Sequence, residues 1–222
     1  MAGFIGLGRV ARYSDDLILF GMPSDLLQPV TLKGEYVELV PLSMEHREGL
    51  MRAVEDGEVW QLWYTSVPSP AGMEAEIERR LGLWRAGSML PFAVIEPGTG
   101  DVVGMTTYMN VDVGNRRVEI GSTWYAARVR RTALNTEAKL LLLGHAFDGL
   151  SCIAVEFRTH FMNYASRRAI ERLGAKLDGI LRSHAVMADG TLRDTCVYSV
   201  IAPEWQTVRA HLRWELTRVR ES

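Results

Sequence analysis

Three arginines lie in a short polar segment that precedes a long apolar run. Arg128, Arg130 and Arg131 belong to this segment, and the apolar run behind it extends to Phe147. Upstream, residues 117–125 are rich in β-branched and aromatic side chains, which is typical of a strand. A strand followed by a cationic turn and then a helix directs the N–H groups of the helix start and the guanidinium charges at one point. Such a point suits a phosphate or pyrophosphate. From this turn alone, a solvated basic loop is an equally good interpretation.

The elements that must position this turn follow from hydrophobic periodicity. The pattern predicts strands at 36–42, 91–96, 102–109, 117–125, 153–159, 177–187 and 192–201, and helices at 43–55, 72–86, 134–148, 164–173 and 203–219. This order predicts an α+β fold with a largely antiparallel sheet and a β-α-β crossover at the cationic turn. We expect a single domain over 30–222, preceded by an N-terminal arm or extension over 1–29.

Bulk composition narrows the class of protein. The chain has 222 residues, of which 47% are hydrophobic and 23% charged, as in a soluble globular protein with a full core. Its net charge of −2 gives no electrostatic case for nucleic acid as the main partner. No run reaches the roughly 18–20 apolar residues of a membrane span. Cys152 and Cys196 lie in apolar strand-like runs and are expected to be buried free thiols, so we expect a cytoplasmic protein.

Four stretches in this order and spacing resemble the GNAT superfamily of N-acetyltransferases. They are residues 117–124, 131–139, 163–175 and 189–194. The resemblance covers roughly 31–212 and is closest to the branch of ribosomal-protein N-terminal acetyltransferases and related small-molecule acetylases. It implies the GNAT fold, in which a mixed, mostly antiparallel central sheet has helices on both faces and a splayed strand at the acetyl-CoA cleft.

The resemblance implies acetyl-CoA as co-substrate and no metal. The superfamily's pyrophosphate loop falls on residues 128–133, where Arg131 replaces the middle glycine, so its guanidinium is expected to contribute to phosphate binding. Asn135 and Thr136 are expected to cap the helix start, and Asn163 to cap the next helix and bind pantetheine. The implied cofactor-binding residues are Ile120, Trp124, Arg128, Arg130, Arg131, Thr132, Ala133, Asn135, Thr136 and Asn163.

Two residues are candidates for the chemistry. Glu119 precedes the turn on its strand and is a candidate base, because the attacking amine must be neutral; the alternative is an exposed glutamate paired with Arg116 or Arg117. Ser166 matches the place where a hydroxyl stands near the thiol in the family, and it would protonate or hydrogen-bond the departing thiolate. The alternative is an ordinary serine in the first turn of a helix.

The acceptor side of the site is expected from the family to include Trp60, Trp63, Tyr64 and His184. Arg193 and Asp194 lie on the last hairpin, also near the expected acceptor side; the alternative is that these two residues only form a cross-strand ion pair. Together these features predict direct acetyl transfer in a ternary complex, from acetyl-CoA to a primary amine. The amine is a small molecule, an amino acid or a peptide N-terminus. A non-catalytic acyl-CoA-binding sensor on the same fold is the alternative, and a homodimer without nucleic acid or membrane contacts is expected.

Overall fold

The computed structural model describes residues 27–218, in which one mixed sheet is flanked by helices. The strands are β1 (Leu32–Lys33), β2 (Glu38–Pro41), β3 (Met89–Glu96), β4 (Asp101–Asp112), β5 (Arg117–Tyr125), β6 (Ala154–His160), β7 (Lys176–Val186) and β8 (Leu192–Ile201). The α-helices are α1 (Arg47–Glu55), α2 (Met73–Arg85), α3 (Ala133–Gly144), α4 (Tyr164–Arg172) and α5 (Trp205–Thr217). The predicted order is confirmed, with β1 added ahead of the first predicted strand. The predicted N-terminal arm lies largely outside the described residues.

The sheet has the order β1-β2-β3-β4-β5-β6-β8-β7. Neighbouring strands pair antiparallel throughout, with the exception of β5 and β6, which run parallel. A parallel pair needs a crossover connection, and α3 supplies it. The predicted α+β class, the mostly antiparallel sheet and the crossover at the cationic turn are therefore confirmed.

Helices cover both faces of the sheet, as two adjacent β4 residues show. Arg80 of α2 donates to the Thr107 hydroxyl at 2.7 Å, whereas Lys139 of α3 donates to the Thr106 hydroxyl at 3.3 Å. Successive side chains on a strand point to opposite faces. Helices α2 and α3 therefore lie on opposite sides of the sheet.

The carboxylate of Glu137 fixes α3 to the start of the domain. It accepts hydrogen bonds from the main-chain N–H groups of Glu35, Tyr36 and Val37 at 2.9, 2.6 and 2.9 Å. A Cβ atom at Gly34 would lie 2.3 Å from the same carboxylate, so only glycine fits there. The helix that follows the cationic turn is thereby held by the loop between β1 and β2.

The outer strand β7 forms an edge of the sheet and is exposed along most of its length. Val186 and, on the partner strand, Leu192 are 73% and 62% exposed. Exposed apolar side chains on an edge strand are suited to self-association, and the homodimer stays a prediction. Within residues 27–218, none of the helices combines the length and the apolar character needed to cross a lipid bilayer. Both cysteines are buried free thiols, as predicted.

Candidate functional site

The parallel strands β5 and β6 part shortly after they begin to pair. Their ladder joins residues 117–119 to 154–156, yet β5 continues to Tyr125 and β6 to His160. From Ile120 onward, the edge of β5 that faces β6 has no ladder partner among the described residues. The splayed strand predicted from the family resemblance is present. Ile120 and Trp124 are buried in this part of β5, and the indole Nε1 of Trp124 has no hydrogen-bond partner in the described chain.

A bulge in β5 lies beside the gap. Thr107 of β4 pairs with Gly121, but Met105 pairs with Trp124, so β5 carries an extra residue here. Ser122 takes up this extra length with a φ of 49°, and its carbonyl oxygen accepts from the guanidinium of Arg80. The bulge bends the strand where it leaves β6.

The cationic turn follows directly and leads into α3. The Arg130 guanidinium donates to the Tyr125 carbonyl oxygen at 3.0 and 3.1 Å, which closes the turn on the end of β5. Arg131 has a φ of 63°, the left-handed conformation that glycine favours. Arg131 therefore occupies a backbone conformation that glycine would adopt without strain.

The helix start differs from the sequence prediction in its cap. Thr132 is the N-cap of α3, and its hydroxyl accepts from the Leu134 N–H at 3.3 Å and donates to the Val129 carbonyl at 2.7 Å. Asn135 and Thr136 lie inside the helix, so their predicted capping role was wrong. The helix begins at Ala133 because Thr132 is the last extended residue, with a ψ of −178°.

Arg128 points its guanidinium at carboxylates of the β3–β4 turn. It donates to Glu96 at 2.6 Å and to Asp101 at 3.0 Å, and its main-chain N–H donates to Asp56 at 3.0 Å. The hydrogen bond from Arg128 lowers the pKa of Glu96. The structure therefore shows Arg128 anchoring the turn to the sheet, while the α3 N-terminus is presented by Arg131, Thr132 and Ala133.

Glu119 is the last β5 residue paired with β6, and it is buried. Burial raises the pKa of its carboxyl, and this effect outweighs a 2.7 Å hydrogen bond from Asn110 and the positive charge of Arg158 at 3.5 Å. Arg117 contacts Glu156 instead. The alternative of an exposed glutamate paired with Arg116 or Arg117 is wrong, because the carboxylate of Glu119 is buried.

Asn163 and Ser166 lie at the start of α4, just beyond the end of β6. The Asn163 side chain caps the helix by accepting from the Ser166 N–H at 3.0 Å, as predicted. The hydroxyl of Ser166 has no hydrogen-bond partner within residues 27–218. A partly buried hydroxyl is therefore available near the end of the separated strand β6.

The loop between α1 and α2 places aromatic side chains against His160, the last residue of β6. The Trp63 ring meets the imidazole edge-on at 5.1 Å between centroids, and the Tyr64 ring lies 6.4 Å away. Trp63 is 54% exposed, whereas Trp60 is partly buried and packs on the core. The predicted aromatic residues thus separate into a core residue, Trp60, and two residues at the end of β6.

The hairpin of β7 and β8 borders the same place. His184 contacts the Thr195 hydroxyl at 3.1 Å, and Thr195 pairs with His160 across the β6–β8 ladder. The alternative of an ion pair between Arg193 and Asp194 is wrong. Asp194 binds Arg182 at 2.6 Å, because Leu181 pairs with Thr195 and the next residue of β7 therefore lies opposite Asp194.

The sequence analysis did not single out His160 at the end of β6 or Lys139 of α3. Lys139 is fully buried and donates to the hydroxyls of Thr106 and Thr123, at 3.3 and 3.1 Å. Burial lowers its pKa to about 7, and no carboxylate lies within salt-bridge distance of it in the described chain. A basic residue on an otherwise apolar helix was the available signal.

Comparisons with known proteins agree with this geometry. Residues 37–176 match the family model described as an acetyltransferase (GNAT) domain. The chain is 28% identical over 147 residues to a Bacillus subtilis (strain 168) protein with the provisional name ribosomal N-acetyltransferase YdaF. That match covers 65% of this chain and 79% of the relative.

Solved structures show the same architecture. A GCN5-related N-acetyltransferase from Brucella melitensis superposes with a TM-score of 0.78 at 31% identity, covering 86% of both chains. Mycobacterium smegmatis RimJ, in complex with CoA-disulfide, superposes with a TM-score of 0.69 at 22% identity over 85% of this chain and 93% of its own, which shows a shared fold. The family match spans most of the chain and includes the splayed strands, the cationic turn and α3. The chain therefore belongs to the GNAT superfamily and is an acetyltransferase.

Proposed function

We propose that this acetyltransferase transfers an acetyl group from acetyl-CoA to a primary amine in a ternary complex. The observation that carries the proposal is the separation of β5 from β6 immediately before the turn into α3. This arrangement puts unladdered main-chain groups, a helix N-terminus and a buried carboxylate next to one another. Each of these serves a different part of the same reaction.

The turn fits a pyrophosphate and the gap fits a narrow polar chain. The first-turn N–H groups of α3 and the positive end of its dipole favour an anion, by roughly 0.3–1 kcal/mol at such an end. Arg131 holds the left-handed conformation there, and the small side chain of Ala133 lets the backbone approach. Asn163 at the α4 start would hydrogen-bond the pantetheine arm. Ile120 and Trp124 would line the gap from β5.

Bound acetyl-CoA supplies the acetyl group as a thioester, whose C–S bond breaks as the amine nitrogen forms the new C–N bond. A main-chain N–H of β5 would polarise the carbonyl in the gap. Glu119 would take the proton that the amine loses, directly or through water. Its raised pKa suits this task, since burial makes the carboxylate a stronger base than an exposed glutamate.

Ser166 would donate a hydrogen bond or a proton to the departing sulfur. Its hydroxyl is partly buried and has no competing protein partner in the described chain, so it is available for this contact. Both cysteines are buried, and burial raises the pKa of Cys152 to about 11. A thiolate nucleophile is therefore disfavoured, which supports direct transfer.

The acceptor would bind where Trp63, Tyr64 and His184 meet the end of β6. The name of the Bacillus relative favours a peptide N-terminus, and a small amine fits the same chemistry. No long acidic run is available to attract a basic ribosomal protein. The experiment therefore has to include both classes of acceptor.

Calorimetry with acetyl-CoA, followed by thiol release across a panel of amines and peptides, tests the proposal. We expect binding and turnover. If acetyl-CoA does not bind, the proposal is refuted. Binding without turnover of any amine would favour an acyl-CoA sensor.

Ser166→Ala tests the role of the hydroxyl. We expect kcat to fall while the affinity for acetyl-CoA stays close to that of the wild type, because the serine acts on the departing group. Calorimetry on the variant is the control for folding and binding. A wild-type kcat would remove Ser166 from the mechanism.

A further inference from the structure

We infer that the acceptor is an amine that also carries a carboxylate, and that Arg193 and His160 bind this carboxylate while the amine faces Glu119. This inference rests on the proposed function and deepens it by naming the class of acceptor. It starts from two hydrogen-bond donors at the end of β6 that lack an anionic partner in the described chain.

The first donor is the Nε2–H of His160. The Nδ1 atom accepts a hydrogen bond from the Met162 N–H at 3.0 Å, so a neutral ring must carry its proton on Nε2. Burial and the nearby positive charge of Arg193 lower the pKa of His160, which keeps the ring neutral near pH 7. His160 thus presents an N–H donor to a ligand and is not placed to act as a base.

This Nε2 atom is buried and has no hydrogen-bond partner within the described residues, and His160 as a whole is 5% exposed. A buried donor without a partner destabilises a protein by roughly 1–3 kcal/mol. Such a group is explained most simply by a partner that arrives with the substrate. The partner must contribute an oxygen acceptor.

The second donor is the guanidinium of Arg193. Other arginines of β6 and of the β7–β8 hairpin are paired with carboxylates, since Arg158 binds Glu156 at 2.8 Å and Arg182 binds Asp194 at 2.6 Å. Arg193 is half-buried and donates to the Thr195 hydroxyl at 3.0 Å, but no carboxylate lies within salt-bridge distance of it among residues 27–218. A half-buried guanidinium with spare donors is suited to a carboxylate.

The two donors share one face of the sheet. Thr195 pairs with His160, and Arg193 lies two residues along β8 from Thr195, on the same side. Glu119 pairs with Glu156, which lies four residues before His160 on β6 and therefore on the same side of the sheet. The same face therefore holds a carboxylate base for an amine and a cationic donor for an acid.

Trp63 and Tyr64 place aromatic rings against His160 on the same face. Aromatic rings beside two donors lower the local dielectric constant and strengthen the hydrogen bonds to an anionic oxygen. The carboxylate has two possible sources. It belongs to an amino-acid-like small molecule, or to an acidic side chain near the N-terminus of a peptide.

The test compares carboxylates with matched neutral acceptors. Thiol release is measured for each common amino acid and its α-amide, and for a hexapeptide beginning Ser-Asp and its Ser-Asn counterpart. We expect kcat/KM to be roughly 10- to 100-fold higher for the acceptor with the carboxylate than for its neutral counterpart, as for a charge-assisted hydrogen bond pair. This preference should occur in one arm of the experiment, either the amino acids or the peptides. The arm that shows the preference identifies the source of the carboxylate.

Arg193→Gln should abolish this preference, and Arg193→Lys should keep part of it, because lysine retains the charge but lacks the planar fork. Arg182→Gln is the matched control on the same hairpin, since Arg182 is highly exposed and already paired with Asp194. Its preference should equal that of the wild type. Melting temperatures of all three variants establish that they are folded.

Calorimetric binding of the N-acetylated products gives a readout that does not depend on turnover. The product with a carboxylate should bind the wild type more tightly than its amide, and Arg193→Gln should remove the difference. The inference would be overturned if the wild type showed the same kcat/KM for acids and amides. It would also be overturned if Arg193→Gln lowered kcat/KM by the same factor for both. In that case acetyl-CoA binding and amine turnover would still support the proposed function, whereas absence of acetyl-CoA binding would refute the function itself.

Discussion

Replacing Glu119 by glutamine should affect activity and stability in opposite directions. The carboxyl is buried, and its pKa is raised chiefly by loss of solvation. A positioned general base contributes roughly 10²- to 10⁴-fold to rate, so kcat of Glu119→Gln should fall by about that factor. Glutamine keeps the shape of the side chain and an oxygen for the Asn110 hydrogen bond.

The sign of the stability change follows from linkage. A carboxyl whose pKa is higher in the folded protein binds protons more tightly in the folded than in the unfolded state, so ionisation at neutral pH destabilises the fold. The raised pKa already includes the attraction to Arg158, so glutamine removes a net penalty, and Arg158 keeps its ion pair with Glu156. The melting temperature of Glu119→Gln should therefore equal or exceed that of the wild type at pH 7.

Thermal unfolding and thiol release from pH 4 to pH 8 provide the measurements. The stability advantage of Glu119→Gln should grow as pH rises from the ordinary glutamate pKa to the raised one, and then level off. The wild-type kcat should fall as pH drops through the raised pKa, and the residual activity of the variant should lack this dependence. Glu38→Gln, in a strand at the other end of the sheet and paired with Lys33, is the control. Lower stability at pH 7 combined with unchanged kcat would refute the reasoning.

Three further predictions concern α3 and its turn. Glu137→Ala leaves three main-chain N–H groups without their acceptor, so it should destabilise the domain by about 3 kcal/mol and lower the melting temperature by roughly 6–12 °C; a change within 2 °C, like that expected for exposed Glu78→Ala, would contradict this. Arg131→Gly should relieve a left-handed backbone and raise stability by about 1 kcal/mol, while acetyl-CoA affinity should fall in calorimetry if the guanidinium contacts phosphate; lower stability would contradict the first claim. The pKa of Lys139 is lowered to about 7 in the fold, so the unfolded chain binds the proton of this lysine more tightly than the folded chain does. The free energy of unfolding of the wild type should therefore rise by about 2 kcal/mol between pH 7 and pH 9 relative to that of Lys139→Met. Parallel pH profiles of the two proteins in denaturant unfolding would refute this prediction.

Local signals were sufficient for the elements and for the turn. The composition of 117–125, the arginines behind it and the apolar helix are contiguous, so strand, turn and helix could be predicted together. Thr132 caps α3 in place of Asn135 because the extended conformation continues to residue 132. A helix boundary of this kind depends on backbone angles that composition does not specify.

The sequence could not predict which residues far apart in the chain contact one another. His160 becomes a fixed N–H donor only through the Met162 backbone and the cover of Trp63, which lies far upstream. Arg193 and Asp194 are adjacent in sequence, yet neighbouring side chains on a strand point to opposite faces, so Arg193 contacts Thr195 whereas Asp194 binds Arg182. Glu137 was visible only as part of a helix motif, since its partners lie 100–102 residues earlier.

The link between Glu137 and the β1–β2 loop also has a consequence for folding. A contact across about 100 residues closes a long loop, and such contacts form late because the chain must first lose conformational entropy. During synthesis, the amides of residues 35–37 cannot meet this carboxylate until residue 137 has left the ribosome. Hydrogen exchange at these three amides should therefore report the assembly of the whole domain, although they lie near the start of its fold.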